Sequence, residues 1–202
     1  MPNPKSALII VDVQNDFCPG GKLAVPHGNE VVNPIEKMAV YALRHGWKIF
    51  ASRDWHPEDT THFSKYGGAW PEHCVQHTPG ADFHHGLLRT KIMIILDLVT
   101  VISKGMRKDE NAYSAFEGRD EHGKLLEERL KEYEVEKIYI AGLATDYCVK
   151  ATALDAKRNN YETCLLLNAC RAVNLELQDG EKAVEEMRQV GVIITSTDEI
   201  LF

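Results

Sequence analysis

The chain has 202 residues, a formal net charge of -7 and a hydrophobic content of 44%. This length and composition fit one folded unit with a full-sized core, and we predict a single domain over residues 1–202. Lysine and arginine form no cluster long enough to neutralise a run of phosphates, which argues against nucleic acid and anionic membranes as partners. A small molecule is the expected partner.

Cysteine usage and the amino terminus indicate the compartment. The five cysteines are odd in number and lack paired short spacings, which fits a reducing environment better than a disulfide framework. Residues 1–5 lack the basic-then-apolar pattern of a signal peptide, and the apolar run 92–96 is far too short to span a bilayer. We therefore predict a cytoplasmic protein without a membrane segment.

Strands and helices are predicted to alternate along the chain. Short apolar runs predict strands, and apolar residues at helical spacing between them predict helices that cover a sheet. The run 92–96 fits either a strand or a turn of buried helix, because periodicity cannot separate the two at this length. The alternation predicts a three-layer α/β/α fold, doubly wound around a mainly parallel sheet. The predicted strands are 7–11, 47–52, 98–103, 137–141, 161–167 and 192–195, and the helical stripes are 35–42, 126–133, 149–156 and 183–190.

Asp12 and Lys104 each follow a predicted strand. Open α/β sheets bind their ligands at the carboxyl ends of the strands, so a carboxylate at Asp12 suggests a functional role. A lone aspartate in this position is more often the cap of a helix or turn. Lys104 would be costly to bury unless it met an anion, and exposure to solvent is the commoner outcome.

Residues 53–76 form a predicted loop with four candidate metal ligands. Asp54 and His56 are two residues apart, which places both side chains on the same side of an extended chain. Together with His62 and His73 they suit a divalent metal such as Zn²⁺, Mn²⁺ or Fe²⁺. Histidines in a polar loop are often only surface residues, but so many candidate ligands close together favour a metal site. His77, His84 and His85 are interpreted as surface residues.

Cys148 follows the fourth predicted strand, after a break at Gly142. Thr145 or Asp146 could cap a following helix, which would place Cys148 in its first turn. The N–H groups and the positive end of a helix there favour a thiolate over a thiol, and therefore a nucleophile. Most free cysteines are instead small buried hydrophobic residues, and this stretch alone does not decide between the two interpretations.

Four of these candidates lie at the ends of four predicted strands. Right-handed crossovers bring the carboxyl ends of neighbouring parallel strands to one edge of the sheet. A base, a metal ligand, a cation and a nucleophile at one edge are difficult to explain by packing alone. The four residues are Asp12, Asp54, Lys104 and Cys148.

Six short motifs give the sequence a specific resemblance to a known family. In unbroken order from the first strand to the last helix, the chain is similar to the nicotinamidase (pyrazinamidase) branch of the isochorismatase-like cysteine hydrolases. The motifs are residues 9–17, 54–56, 70–74, 103–105, 113–116 and 142–148.

The resemblance implies both a catalytic site and a metal site. It implies a triad of Cys148, Asp12 and Lys104. It also implies an oxyanion hole from the backbone N–H groups of Ala144 and Cys148, and a cis peptide between Leu143 and Ala144. One divalent metal is implied, with zinc favoured over manganese and iron. The implied metal ligands are Asp54, His56, His62 and His73, and the implied substrate-binding residues are Phe17, Trp70, Tyr113 and Leu143.

The resemblance also implies an activity. It implies conversion of nicotinamide into nicotinate and ammonia through a cysteine thioester, in NAD salvage, with pyrazinamide as a further expected substrate. One alternative is another hydrolase of the superfamily, which acts on a different amide or a ureido compound and lacks the metal ligands. The other is a non-catalytic metal-binding or thiol-sensing protein of the same fold, which only an assay distinguishes.

Two stretches depart from the family pattern. Residues 91–96 have no counterpart, and they could form the contact of a homo-oligomer or lengthen a crossover connection. Tyr147 precedes the cysteine where some members carry histidine, which leaves the shape of that pocket wall open.

Overall fold

A six-stranded sheet forms the centre of the computed structural model, which describes residues 5–201 apart from the side chain of Leu88. The strands are β1 (Ser6–Val11), β2 (Lys48–Asp54), β3 (Thr100–Lys104), β4 (Lys137–Leu143), β5 (Glu162–Arg171) and β6 (Ile193–Thr195). Their order in space is β3-β2-β1-β4-β5-β6, and every pairing is parallel. The predicted parallel sheet is therefore confirmed.

The central strand β1 is buried on both of its faces. Leu8 and Ile10 pack into one hydrophobic cluster, whereas Ile9 and Val11 pack into a second cluster. Successive side chains of a strand point to opposite faces, so each cluster occupies one side of the sheet. Burial on both sides explains why this strand appears in the sequence as a continuous apolar run.

Helices cover both sides of the sheet. They are α1 (Val32–Arg44), α2 (Leu88–Ile95), α3 (Leu126–Glu132), α4 (Lys150–Arg158), α5 (Asp179–Gln189) and α6 (Thr197–Leu201). Side chains of α1, α2 and α6 pack in the cluster that contains Leu8, and side chains of α3, α4 and α5 pack in the cluster that contains Ile9. This arrangement confirms the three-layer α/β/α fold.

Some element predictions need correction. The run 92–96 lies in and directly after α2, but it is not a buried helix, because Ile92 is 56% exposed and Ile95 is 82% exposed. The short α6 was not predicted, since five residues are too few to show helical periodicity. Strand β5 continues to Arg171, beyond the predicted end at residue 167.

Two predictions concern the chain's relation to membranes and export. The signal-peptide prediction rests largely on residues 1–4, which lie outside the described part of the chain. Within residues 5–201, no helix combines the length and apolar character needed to cross a bilayer.

The carboxyl ends of four adjacent strands lie along one rim of the sheet. These strands are β3, β2, β1 and β4. Asp12 directly follows β1, and Asp54 and Lys104 are the last residues of β2 and β3. Asp54 and Lys104 are also register partners, because β2 and β3 pair there. β1 pairs with β4, whose end leads to the Cys148 turn. The sheet alone therefore brings the four predicted residues to one place.

Candidate active site

Lys104 lies at the centre of a buried group of ionisable side chains. Lys104 is 1% exposed. Its Nζ atom is 2.9 Å from Asp12 Oδ2 and also contacts Asp54 Oδ1. Nζ donates to the Ala112 carbonyl at 3.2 Å and lies 3.5 Å from Cys148 Sγ. Of the two outcomes expected for this lysine, exposure to solvent and contact with an anion, the structure has the second, because two carboxylates compensate its burial.

The electrostatics of this group keep the amine charged. Burial alone would lower the pKa of Lys104, but the charges of Asp12 and Asp54 raise it well above the usual range for lysine. Burial also acts on Asp54, yet Lys104, with His56 and His73, holds the pKa of that carboxyl well below its usual value. An ammonium and at least one carboxylate therefore coexist in the dry interior at neutral pH.

Asp12 is the carboxylate that gains basicity. Burial raises its pKa, Asp54 adds to the effect, and Lys104 opposes it. The Ser52 hydroxyl donates to Asp12 Oδ1 at 2.7 Å, which orients the carboxylate. Its backbone has a φ of 49°, in the left-handed region that aspartate tolerates better than most residues. Asp12 therefore has the protonation behaviour expected of a general base.

Cys148 is buried in the turn that follows β4. Residues Thr145–Val149 form a single π-helical turn, in which the Ala144 carbonyl accepts from Val149 N, and α4 begins only at Lys150. Cys148 therefore lies in the first turn of the helical segment, as predicted, but the turn is π-helical and neither Thr145 nor Asp146 caps it. The Asp146 carboxylate instead accepts from the backbone N–H groups of Val173 and Asn174, at 2.9 and 2.8 Å.

The resting state of Cys148 is a thiol, not the thiolate that the positive end of a helix alone would favour. Burial raises its pKa well above the usual range, although the charge of Lys104 lowers it. Its Sγ atom lies within 4.8 Å of a carboxylate oxygen of Asp12 and of a carboxylate oxygen of Asp54. The resting group is therefore a thiol beside a carboxylate base and an ammonium, which is a nucleophile that loses its proton only as it reacts.

Three buried histidines lie next to this group. Each of His56, His62 and His73 has one ring nitrogen that lies within 4.8 Å of a ring nitrogen of the other two. Asp54 Oδ2 is 3.6 Å from His56 Nε2 and 3.7 Å from His73 Nε2. The four predicted metal ligands are therefore brought together, and Asp54 lies between the histidines and Lys104.

Each histidine ring has a partner on its Nδ1 atom. His56 Nδ1 bonds the Gly105 carbonyl at 3.0 Å, and His73 Nδ1 bonds the Pro71 carbonyl at 2.7 Å. His62 Nδ1 bonds Asn111 Oδ1 at 3.0 Å. All three partners are acceptors, so Nδ1 carries the proton and each Nε2 is left with a lone pair. Outer partners of this kind are typical of histidines that bind a metal.

The residues present fit a divalent metal. His56 Nε2 is buried and has no hydrogen-bond partner among the residues that the structure describes, which is costly unless something binds it. Burial lowers the pKa of His62 to about 4, so its ring is neutral at pH 7, as a metal ligand must be. Three imidazoles with a nearby carboxylate match the preferences of zinc and related divalent ions.

A cavity with an aromatic wall opens beside the thiol. Trp70 Nε1 donates to the Tyr113 hydroxyl at 2.9 Å, and the ring of Tyr147 meets Trp70 edge to face at 4.9 Å. Phe17 lines the same cavity, so three of the four predicted substrate-binding residues meet there. Leu143 is fully buried and does not line the cavity, whereas Ala144 does. The peptide between Leu143 and Ala144 is cis, as the resemblance implied.

Sequence reasoning missed two polar residues that support the site. Gln14 is fully buried, accepts from Asp54 N at 2.8 Å and donates to the Asp54 carbonyl at 2.8 Å. Its place inside the first family motif was the only signal for it. Asn111, which bonds His62 and lines the cavity, lies outside every motif and gave no signal.

An open parallel sheet with a thiol, a base and an ammonium at its carboxyl rim defines a cysteine-dependent hydrolase of the α/β class. The chain matches the isochorismatase domain over residues 6–199. It therefore belongs to the isochorismatase family.

Three similar proteins match this chain over nearly the full length of both chains. The chain is 41% identical to the nicotinamidase/pyrazinamidase of Mycobacterium tuberculosis, over 92% of this chain and 96% of that protein. It is 36% identical to the nicotinamidase of Escherichia coli, over 95% of this chain and 94% of that protein. The crystal structure of the pyrazinamidase of Pyrococcus horikoshii in complex with zinc superposes with a TM-score of 0.84, at 41% identity, over 96% of this chain and 99% of that chain.

Proposed function

We propose that this chain is an amidase that hydrolyses nicotinamide to nicotinate and ammonia, and that it also accepts pyrazinamide. The observation that carries the proposal is the contact between the Cys148 thiol, Asp12 and Lys104 at the floor of an aromatic cavity, next to the three histidines. The similarity to nicotinamidases and a pyrazinamidase supports this choice of substrates.

In the first half of the reaction, Cys148 Sγ attacks the carboxamide carbon while Asp12 takes the thiol proton. The raised pKa of Cys148 keeps the thiol protonated until that moment, and the raised pKa of Asp12 makes it a stronger base. The ammonium of Lys104, 3.5 Å from Sγ, stabilises the developing thiolate charge. The oxyanion of the tetrahedral intermediate accepts from the backbone N–H groups of Ala144 and Cys148.

In the second half, the intermediate collapses and the carbon–nitrogen bond breaks. Asp12 returns its proton to the leaving nitrogen, which departs as ammonia and leaves a thioester on Cys148. A water molecule then gives a proton to Asp12 and attacks the thioester carbon. Breakage of the carbon–sulfur bond releases nicotinic acid, which loses its proton to the ammonia or to water and so becomes nicotinate. Sγ takes the proton back from Asp12, and the site returns to its starting state.

The aromatic wall would hold the substrate ring. Phe17, Trp70 and Tyr113 offer flat apolar surfaces for a pyridine or pyrazine ring, and stacked or edge-to-face contacts of this type stabilise by about 0.5–1.5 kcal/mol each. Tyr147 extends that wall through its contact with Trp70.

We infer that the metal is zinc, held by His56, His62, His73 and Asp54. When bound, a divalent ion supplies a Lewis acid that can coordinate the ring nitrogen of the substrate. The zinc-bound pyrazinamidase of similar fold supports this choice of metal.

We further propose that the enzyme acts in the cytoplasm as a single domain over residues 1–202, and that its product enters NAD salvage. The cysteines support the compartment, since all five are buried and none is paired in a disulfide.

The direct test is ammonia release from nicotinamide and from pyrazinamide by the zinc-loaded protein. We expect turnover with both, and loss of turnover with retention of zinc in Cys148→Ala. Cys164→Ala is the matched control, because Cys164 is another buried free cysteine that lies in the hydrophobic core. Full activity in Cys148→Ala would instead point to a metal-bound hydroxide as the nucleophile.

A further inference from the structure

The three histidines differ in what holds their rings. His56 and His73 bond backbone carbonyls, those of Gly105 and Pro71. His62 instead bonds a side chain, through Asn111 Oδ1 at 3.0 Å. His62 is therefore the histidine of this cluster whose orientation depends on the identity of another residue.

The loop that carries Asn111 is fastened to the segment that carries His62. The carbonyl of Lys108 accepts three hydrogen bonds, from Thr61 N at 2.9 Å and from the hydroxyls of Thr60 and Thr61 at 3.0 Å each. The Thr60 hydroxyl also accepts from His62 N at 3.2 Å. These bonds fix the distance between the two segments, so Asn111 reaches His62 from a defined position.

The same loop also contacts the catalytic group. Ala112, the next residue after Asn111, accepts from Lys104 Nζ at 3.2 Å through its carbonyl. Asn111 itself lines the cavity together with Tyr113. One short loop therefore contacts the histidine cluster, the buried lysine and the cavity wall.

We propose that Asn111 is a positioning residue for His62. Its Oδ1 atom accepts a hydrogen bond from Nδ1–H of His62, which fixes the tautomer with the Nε2 lone pair free and fixes the ring plane toward His56 and His73. This inference rests on the proposed metal-dependent amidase, and it adds a residue outside the ligand set on which metal affinity depends.

The expected loss of zinc affinity follows from other metal sites, in which residues that hydrogen-bond a metal ligand have been replaced. Removal of such a partner typically costs about 10- to 100-fold in metal affinity. The replacement Asn111→Leu keeps a similar volume but removes the acceptor. The replacement Asn111→Asp keeps an acceptor oxygen in the same place. Because Asn111 is exposed, neither variant should disturb the core.

The test measures zinc affinity of the full chain by competition with a chromophoric chelator, without substrate. We expect Asn111→Leu to bind Zn²⁺ about 10- to 100-fold more weakly than the wild type, and Asn111→Asp to bind within a few-fold of it. Asp109→Asn is the loop control, since Asp109 is an exposed residue of the same loop, and it should bind like the wild type.

A spectroscopic readout separates positioning from a general loss of fold. The Co²⁺-loaded protein should show a changed visible spectrum in Asn111→Leu at saturating metal, and the wild-type spectrum should return in Asn111→Asp. Wild-type zinc affinity in Asn111→Leu would overturn the proposal, and so would equal losses in both Asn111 variants. An inactive wild type that still shows these affinity differences would count against the amidase function only.

Discussion

Asp54 and Lys104 face each other at the ends of neighbouring parallel strands, and the carboxylate of Asp54 joins two parts of the site. Its Oδ1 atom contacts Lys104 Nζ, and its Oδ2 atom lies 3.6 Å from His56 Nε2. The two residues are register partners of β2 and β3, so the sheet itself sets this contact. A change at Asp54 should therefore affect both the histidine cluster and the catalytic group.

Asp54→Asn tests that double role. The amide keeps the shape but loses the charge of a proposed ligand, so we expect a drop in zinc affinity of at least the roughly 10- to 100-fold that loss of an outer partner costs, and loss of most amidase activity even at saturating zinc. Chelator competition and ammonia release measure the two effects. Glu58→Gln makes the same chemical change at an exposed position of the loop that follows β2 and should alter neither. An Asp54→Asn enzyme that is fully active once loaded with zinc would contradict the shared role.

Lys104→Met tests whether the ammonium balances the buried carboxylates. Without it, Asp12 and Asp54 are left close together in the dry interior, and one of them must take up a proton. We expect the free energy of unfolding of the metal-free protein to fall by about 3–5 kcal/mol at pH 7, and by less at pH 5.

Urea unfolding measures the effect of Lys104→Met. Lys150→Met is the matched control, because Lys150 forms a surface ion pair with Glu186 at 3.0 Å, and it should cost less than about 1 kcal/mol. Equal losses in the two variants would show that the buried ammonium has no special part.

Gly105→Ala tests the close packing of Gly105, the residue after Lys104, on the ring of His56. Gly105 has a φ of 63°, and a Cβ atom there would lie 2.4 Å from His56 Cε1. Gly123 has a φ of 79° with no atom within 4 Å of a built Cβ, so Gly123→Ala shares the backbone strain of about 1–2 kcal/mol without the clash. We expect both variants to lose stability, and Gly105→Ala alone to lose zinc affinity. Equal zinc affinities would contradict the packing argument.

Asp120 provides a test of stability against pH that is separate from the site. Burial would raise its pKa, but the N–H groups of Lys124 and His122 and the Arg129 guanidinium hold the pKa of this carboxyl below its usual value. A lowered pKa in the folded state stabilises the protein above the unfolded value of about 3.9, and the contribution is lost as pH falls through the folded pKa.

Asp120→Asn should therefore lower the free energy of unfolding by about 1.5–3 kcal/mol at pH 7, with a smaller difference at pH 3. Chemical denaturation at both pH values measures it. Asp155→Asn, at an aspartate paired with Arg158 on the surface, should change stability by less than about 1 kcal/mol. A difference that grows on acidification would have the wrong sign for this explanation.

The sequence predicted the framework of the site well because two general rules determine it. Apolar runs gave the strands, and the parallel arrangement gave the common edge at which Asp12, Asp54, Lys104 and Cys148 meet. The environment of each side chain was harder to predict. From the residues alone, Lys104 could have reached solvent or met an anion, because its burial depends on the register that places Asp54 opposite it.

The pKa of the Cys148 thiol is where the sequence pattern and the structure differ most clearly. A helix start next to Cys148 suggested a lowered pKa, but the turn is a π-helical one and the burial of the sulfur outweighs the charge of Lys104. Local pattern shows which residues precede a helix, whereas burial depends on all the elements that pack around it. The contact of Asn111 with His62 was beyond prediction for the same reason, since it depends on how two loops pack together.

The most direct measurement is rapid chemical quench of the zinc-loaded enzyme with nicotinamide, followed by intact-mass and peptide mass spectrometry. We predict a nicotinoyl thioester on Cys148 that forms and decays during turnover and is absent in Cys148→Ala. Nicotinate formation without any acyl group on Cys148, or with the acyl group on another residue, would contradict the account.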